Sequence, residues 1–162
     1  TIEVACRQLR LASFCGETGG NKSEYAAMKT DHIIGALKDE LDTQPHIPTF
    51  MMGDLNAEPQ DIPAVQDLLE EEGWLDCGQR AELWGGTPMQ GTCTAPNSIR
   101  TTRRAYVFAC PLAIGMVQDF RMEEQSLHPV HKPIQIKVRM GKKGDLTTDE
   151  KNKIVQMLKV CS

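Results

Sequence analysis

The chain has 162 residues and a mass of 18.0 kDa, enough for one domain with its own core. Apolar residues make up 40% and charged residues 25%, an ordinary globular balance. A net charge of −4 and a pI of about 5.6 exclude a protein that coats nucleic acid through bulk charge, but not an enzyme that meets one phosphodiester locally.

No apolar run approaches the length of a membrane span, and the opening TIEVACRQLR has no signal-peptide core. Six cysteines, at 6, 15, 77, 93, 110 and 161, form no C-x-x-C pair. They predict buried, reduced thiols and an intracellular setting, nuclear or cytoplasmic. A zinc site drawn from Cys77, Cys93 or Cys110 with His128 and His131 would lack the spacing of any standard finger.

In chain order, residues 3–15 alternate loosely and predict one or two strands; opening directly on that pattern suggests a piece of something longer. Ser23 starts a helix that runs to Leu41, with Ala27, Ile33, Ile34, Leu37 and Leu41 at helical period. Thr49 to Met52 is a short apolar strand of the kind buried on both faces. Asp61 is placed to cap a second helix, with Pro63 in its first turn, Val65, Leu68 and Leu69 inward, and a stop at Gly73. Trp74–Asp76 predicts a short strand or turn, and 78–102 reads as loop. Tyr106–Ala109, Phe120–Met122 and Ile134–Val138 predict three more strands. After residue 139 the character changes to a linker and a capped amphipathic helix, Thr147 with Glu150 forming the capping box. Residues 1–139 and 140–162 are therefore expected to be separate units. The order of elements predicts an α/β or α+β fold.

The chemistry gathers where the apolar strand runs into Gly53-Asp54-Leu55-Asn56. A carboxylate at a buried strand end can take a proton from water or hold a metal ion. Asn56, two residues on, is expected on the same face, able to donate to a phosphoryl oxygen. Alone, G-D-x-N reads equally well as an Asx-turn ending a strand.

The stretch Met51-Met52-Gly53-Asp54-Leu55-Asn56 is followed by Arg103-Arg104-Ala105-Tyr106-Val107-Phe108 and then by Pro129-Val130-His131-Lys132-Pro133-Ile134. In that order they resemble the G-D-[FL]-N, R-x-D-Y and S-D-H-x-P motifs of the endonuclease/exonuclease/phosphatase family, in style the endonuclease domains of retroelement-like proteins. "EEEGWLD" at 70–76 and Thr92 fit the same pattern. The resemblance implies a two-layer β-sandwich flanked by helices, of which this chain supplies mostly the C-terminal half. It implies a hydrolase that cleaves phosphodiesters, here DNA, with Mg2+ or Mn2+. Asp54, Asn56 and His131 take the catalytic roles, Asp54 also that of a metal ligand, and Arg103 is a candidate phosphate contact.

The chain departs from the family where the chemistry needs support. Ala105 stands in place of the Asp that pairs with the histidine, Val130 in place of the Asp of S-D-H, and Phe14 where a Tyr hydroxyl is usual. Such losses commonly cost about 10²–10⁴ in rate each, though not additively. No strand-borne motif before residue 45 supplies the family's metal-binding Glu. The departures predict a chain inactive on its own, lacking an N-terminal half or a partner chain to cover its exposed sheet. The alternative is a non-catalytic relative retained for binding.

Overall fold

The computed structural model describes residues 2–4, 7–20, 22–96, 98–123 and 130–140. The central element is a five-stranded mixed sheet. Strand β1 (Ile2–Val4) pairs antiparallel with β2 (Arg7–Cys15), which runs parallel to β3 (Thr49–Asp54). The parallel pair is joined through helix α1 (Glu24–Asp42), because parallel neighbours need a long crossover. A two-residue strand, β4 (Leu75–Asp76), comes next in the chain, and a two-stranded ribbon follows, β5 (Cys93–Thr94) with β6 (Thr101–Thr102). Strand β7 (Ala105–Ala109) lies between β3 and β4, giving the order β1-β2-β3-β7-β4. The ribbon was expected to be loop. Its strands are short and threonine-rich, and carry no alternating apolar signal.

Strand β3 is paired along both edges, by β2 and β7, and is buried on both faces at its start: Phe50 and Met51, on opposite faces, are both inaccessible. Phe108 stacks on Phe14 and on Tyr106, at centroid distances of 6.2 and 5.7 Å. Phe14 thus serves the core at the position where the family resemblance led one to look for a hydroxyl.

Ser23 caps α1, its Oγ accepting from the Ala26 N–H at 3.3 Å. The buried stripe is Ala26, Thr30, Ile34 and Leu41, with Ala27 and Leu37 packed beside it; Ile33, expected inside, is exposed. Helix α2 (Pro63–Glu70) buries Val65 and Leu68. Its cap is not Asp61, which lies in a 3₁₀ turn, Pro59–Asp61. Asp31 of α1 instead accepts from the Ala64 N–H at 2.7 Å, so one helix caps the other.

A second layer is the hairpin β8 (Val117–Met122) and β9 (Ile134–Val138), reached through the one-turn helix α3 (Pro111–Ile114). Between Leu9, Leu11, Phe50 and Met52 of the main sheet and Ile134, Ile136, Val138 and Met140 of the hairpin side runs an apolar cleft of about 470 Å³. The fold is α+β, as the element order predicts. Among the described residues no helix is long and apolar enough to cross a membrane. The linker and helix expected after Met140 lie outside the described residues.

Candidate functional site

Asp54 is the last residue of β3 and is half-buried. Its Oδ1 accepts from the Asn56 N–H at 3.0 Å, the Asx-turn that ends the strand. Its Oδ2 faces His131 Nδ1 at 3.8 Å. The turn and the carboxylate–imidazole pair therefore coexist on one residue, one oxygen to each. Ala105 lies directly across from Asp54 in the β3–β7 register. Position 105 carries no carboxylate, and Asp54 is the acid that faces the histidine.

Asn56 does not continue the strand. It sits in the left-handed region at φ 53°, where asparagine is enriched among non-glycine residues. Strand alternation thus does not place it beside Asp54; the turn does. Its Nδ2 donates to the Gly16 carbonyl at 3.0 Å, which commits one of two amide hydrogens. Gly16 is needed there: a Cβ on it would run into the Leu55 carbonyl.

His131 reaches Asp54 because of Thr92. The Thr92 Oγ1 accepts from both the Arg104 and Ala105 N–H groups at 2.9 Å. Its carbonyl accepts from Lys132 N at 2.7 Å, and its N–H donates to the Thr102 carbonyl at 2.9 Å. This buried residue ties the start of β7, the β5–β6 ribbon and the His131 segment together. Thr92→Val removes the shared acceptor and is expected to cost about 1–3 kcal/mol in urea unfolding, with Thr92→Ser close to wild type.

Arg103 is not a free phosphate ligand. It is buried, its Nη1 donates to Asp76 Oδ2 at 2.6 Å, and its Nη2 pairs with Asp76 Oδ1. Its guanidinium lies 4.2 Å from the centroid of the Tyr106 ring. Asp76 Oδ1 also accepts from the Gly78 and Gln79 N–H groups at 3.0 and 3.2 Å. Burial, with the Glu58 carboxylate next, pushes the Tyr106 phenol well above its ordinary range, so it stays a donor; Glu58 Oε2 is 3.5 Å away.

The cysteines correct the expectation of uniformly buried thiols. Cys77 and Cys110 are buried, but Cys15 is exposed and Cys93 half-buried, and all four are unpaired. Burial pushes the Cys77 thiol far up, and its Asp76 neighbour adds to this. Cys93 Sγ lies 4.0 Å from His131 Nε2, a neighbour that no local sequence pattern announces. Only the long-range bridge between Cys93 and His131 brings the two together.

A magnesium or manganese ion needs several oxygen ligands. Among the described residues, no group of three or more His, Cys, Asp or Glu side chains could hold one ion. Asp54 offers a single carboxylate, engaged on both oxygens, so the described donor set does not fit the expected metal.

No protein-family model matches the sequence, and none of the curated proteins does. Solved structures similar to this chain include the following two. A functionally unknown conserved protein from Enterococcus faecalis aligns over 80% of this chain and 49% of its own length, at 20% identity and a TM-score of 0.56. The mannosyl-6-phosphatase Bt3783 of Bacteroides thetaiotaomicron aligns over 74% and 48%, at 17% identity and a TM-score of 0.46. The chain therefore spans about half the length of either structure, and what it shares with the first of them is a fold.

Proposed function

We propose that this chain is a partial phosphodiester-hydrolase domain of the endonuclease/exonuclease/phosphatase type, with Asp54 and His131 as its retained reacting pair and DNA as the favoured substrate. The observation that carries the reading is the Asp54 carboxylate at the end of β3, facing the His131 imidazole at 3.8 Å with Ala105 directly opposite. The three ordered motifs meet at that point: G-D-x-N supplies the acid, R-x-A-Y the strand across from it, and H-x-P the imidazole.

The chemistry open to these side chains is proton handling and charge stabilisation. Asp54 accepts a proton from an attacking water. His131, when protonated, stands 3.8 Å beyond it to meet a phosphoryl oxygen, and the free amide hydrogen of Asn56 is a second donor. The apolar cleft between the main sheet and the hairpin is open enough to take further apolar side chains. We infer that a further segment, or a partner chain, covers it.

The test is hydrolysis of bis(p-nitrophenyl) phosphate and nicking of supercoiled plasmid in Mg2+ or Mn2+. The chain is expected to be inactive at the level of a complete domain while keeping a residual rate that Asp54→Ala returns to that of buffer. Equal rates above buffer in both proteins would overturn the reading. Buffer rates in both would favour the second one, a non-catalytic binding relative. That reading draws on Ala105 and on the lack of a metal-holding group among the described residues.

A further inference from the structure

We propose that Cys93 is a nucleophilic thiol served by His131 and Asp54, and that the electrophile it takes is a low-molecular-weight disulfide. The proposal is independent of the phosphodiester reading, because it concerns sulfur chemistry at the opposite nitrogen of the same histidine.

Three side chains stand in succession: Cys93 Sγ lies 4.0 Å from His131 Nε2, and His131 Nδ1 lies 3.8 Å from Asp54 Oδ2. The nitrogens are used in the sense that nucleophilic catalysis requires. The acid faces Nδ1, which leaves Nε2 toward the nucleophile. Such contacts are commonly loose before a reactant is bound.

The backbone fixes the Cys93–His131 pair. The Thr94 N–H donates to the Val130 carbonyl at 2.9 Å, and the Lys132 N–H to the Thr92 carbonyl at 2.7 Å. These bonds bracket residues 93 and 131 as a non-hydrogen-bonded antiparallel pair. That is the kind of pair in which opposed side chains come closest. The thiol is half-buried and the imidazole half-exposed, so a small reactant can reach both. Reactive cysteines sit in such settings, partly open and beside a histidine.

In the step, Nε2 takes the Cys93 proton as Sγ attacks one sulfur of the disulfide. The new Cys93 Sγ–S bond forms, the old S–S bond breaks, and the leaving thiolate receives the proton from the imidazolium. Cys93 is oxidised to the mixed disulfide and the leaving sulfur is reduced to a thiol, so the small disulfide is itself the oxidant and the step balances. The adduct would sit over His131 and Asp54.

The experiment is the full chain with glutathione disulfide at pH 7, each cysteine followed separately by peptide mass spectrometry. Exposed Cys15 is the internal reference and buried Cys77 the unreactive control. Cys93 is expected to react at least about tenfold faster than Cys15. His131→Ala and His131→Gln should each bring it to about the Cys15 rate while Cys15 is unchanged, and added imidazole should restore the rate in His131→Ala. Two results would overturn the proposal: equal Cys93 and Cys15 rates in the wild type, or an unchanged Cys93 rate in both His131 variants.

Discussion

Arg103→Met is expected to destabilise the fold by about 3–5 kcal/mol, read as a shift in the urea midpoint at constant slope. The cause is Asp76, whose side chain is 3% exposed and would be left as an uncompensated buried charge. Asp76→Leu should be as severe, because it strands the guanidinium on the Tyr106 ring and frees the Gly78 and Gln79 N–H groups. The double variant Arg103→Met, Asp76→Leu should recover much of the loss, since replacing a buried pair by apolar groups is often near neutral. If Arg103 instead served a phosphate, Arg103→Met would leave the midpoint in place and weaken only nucleic-acid binding.

The second large effect is at Gly53. A Cβ there would run into the Phe14 carbonyl and come within 3.0 Å of the Phe14 ring. Phe14 is Gly53's partner in the parallel β2–β3 ladder, so neither backbone can yield without breaking the pairing. Gly53→Val is expected to cost about 3 kcal/mol or more, at or above the usual range for overpacking. It should also disturb Asp54, the next residue, and with it the distance to His131. Gly35→Ala is the matched control. Nothing lies within 4 Å of a Cβ there, and the change should stabilise α1 by about 0.5–1 kcal/mol.

These two residues show what could be read from the sequence and what could not. Gly53 was conspicuous as part of G-D-x-N, yet its physical reason is the approach of β2, a contact between residues 39 positions apart. Strand β9 has the bounds that its alternation predicts, and α1 starts at the cap that Ser23 predicts, because both signals are local. Helix α2 gave the right inner face at Val65 and Leu68, but its cap came from Asp31 on another helix. Arg103 read as a candidate phosphate contact because its partner, Asp76, lies 27 residues earlier. Thr92 could be noticed as a residue type but not as the acceptor that holds Ala105 and Lys132. Cys93 lay in a segment that reads as loop. Local pattern found the longer elements and the strand-end acid but not the ribbon; the contacts around that acid are long-range.

The central claim is that Asp54 and His131 are a retained reacting pair whose missing support is the carboxylate once expected at 105. The most direct measurement compares the wild type, Ala105→Asp and the double variant Ala105→Asp, Asp54→Ala, in hydrolysis of bis(p-nitrophenyl) phosphate. Position 105 faces Asp54 in register, so an aspartate there can take over the histidine and release Asp54 for the water. The account predicts that Ala105→Asp raises the rate at least about tenfold and that removing Asp54 abolishes the gain. Ala105→Asp indistinguishable from wild type, or a gain that survives without Asp54, would contradict it.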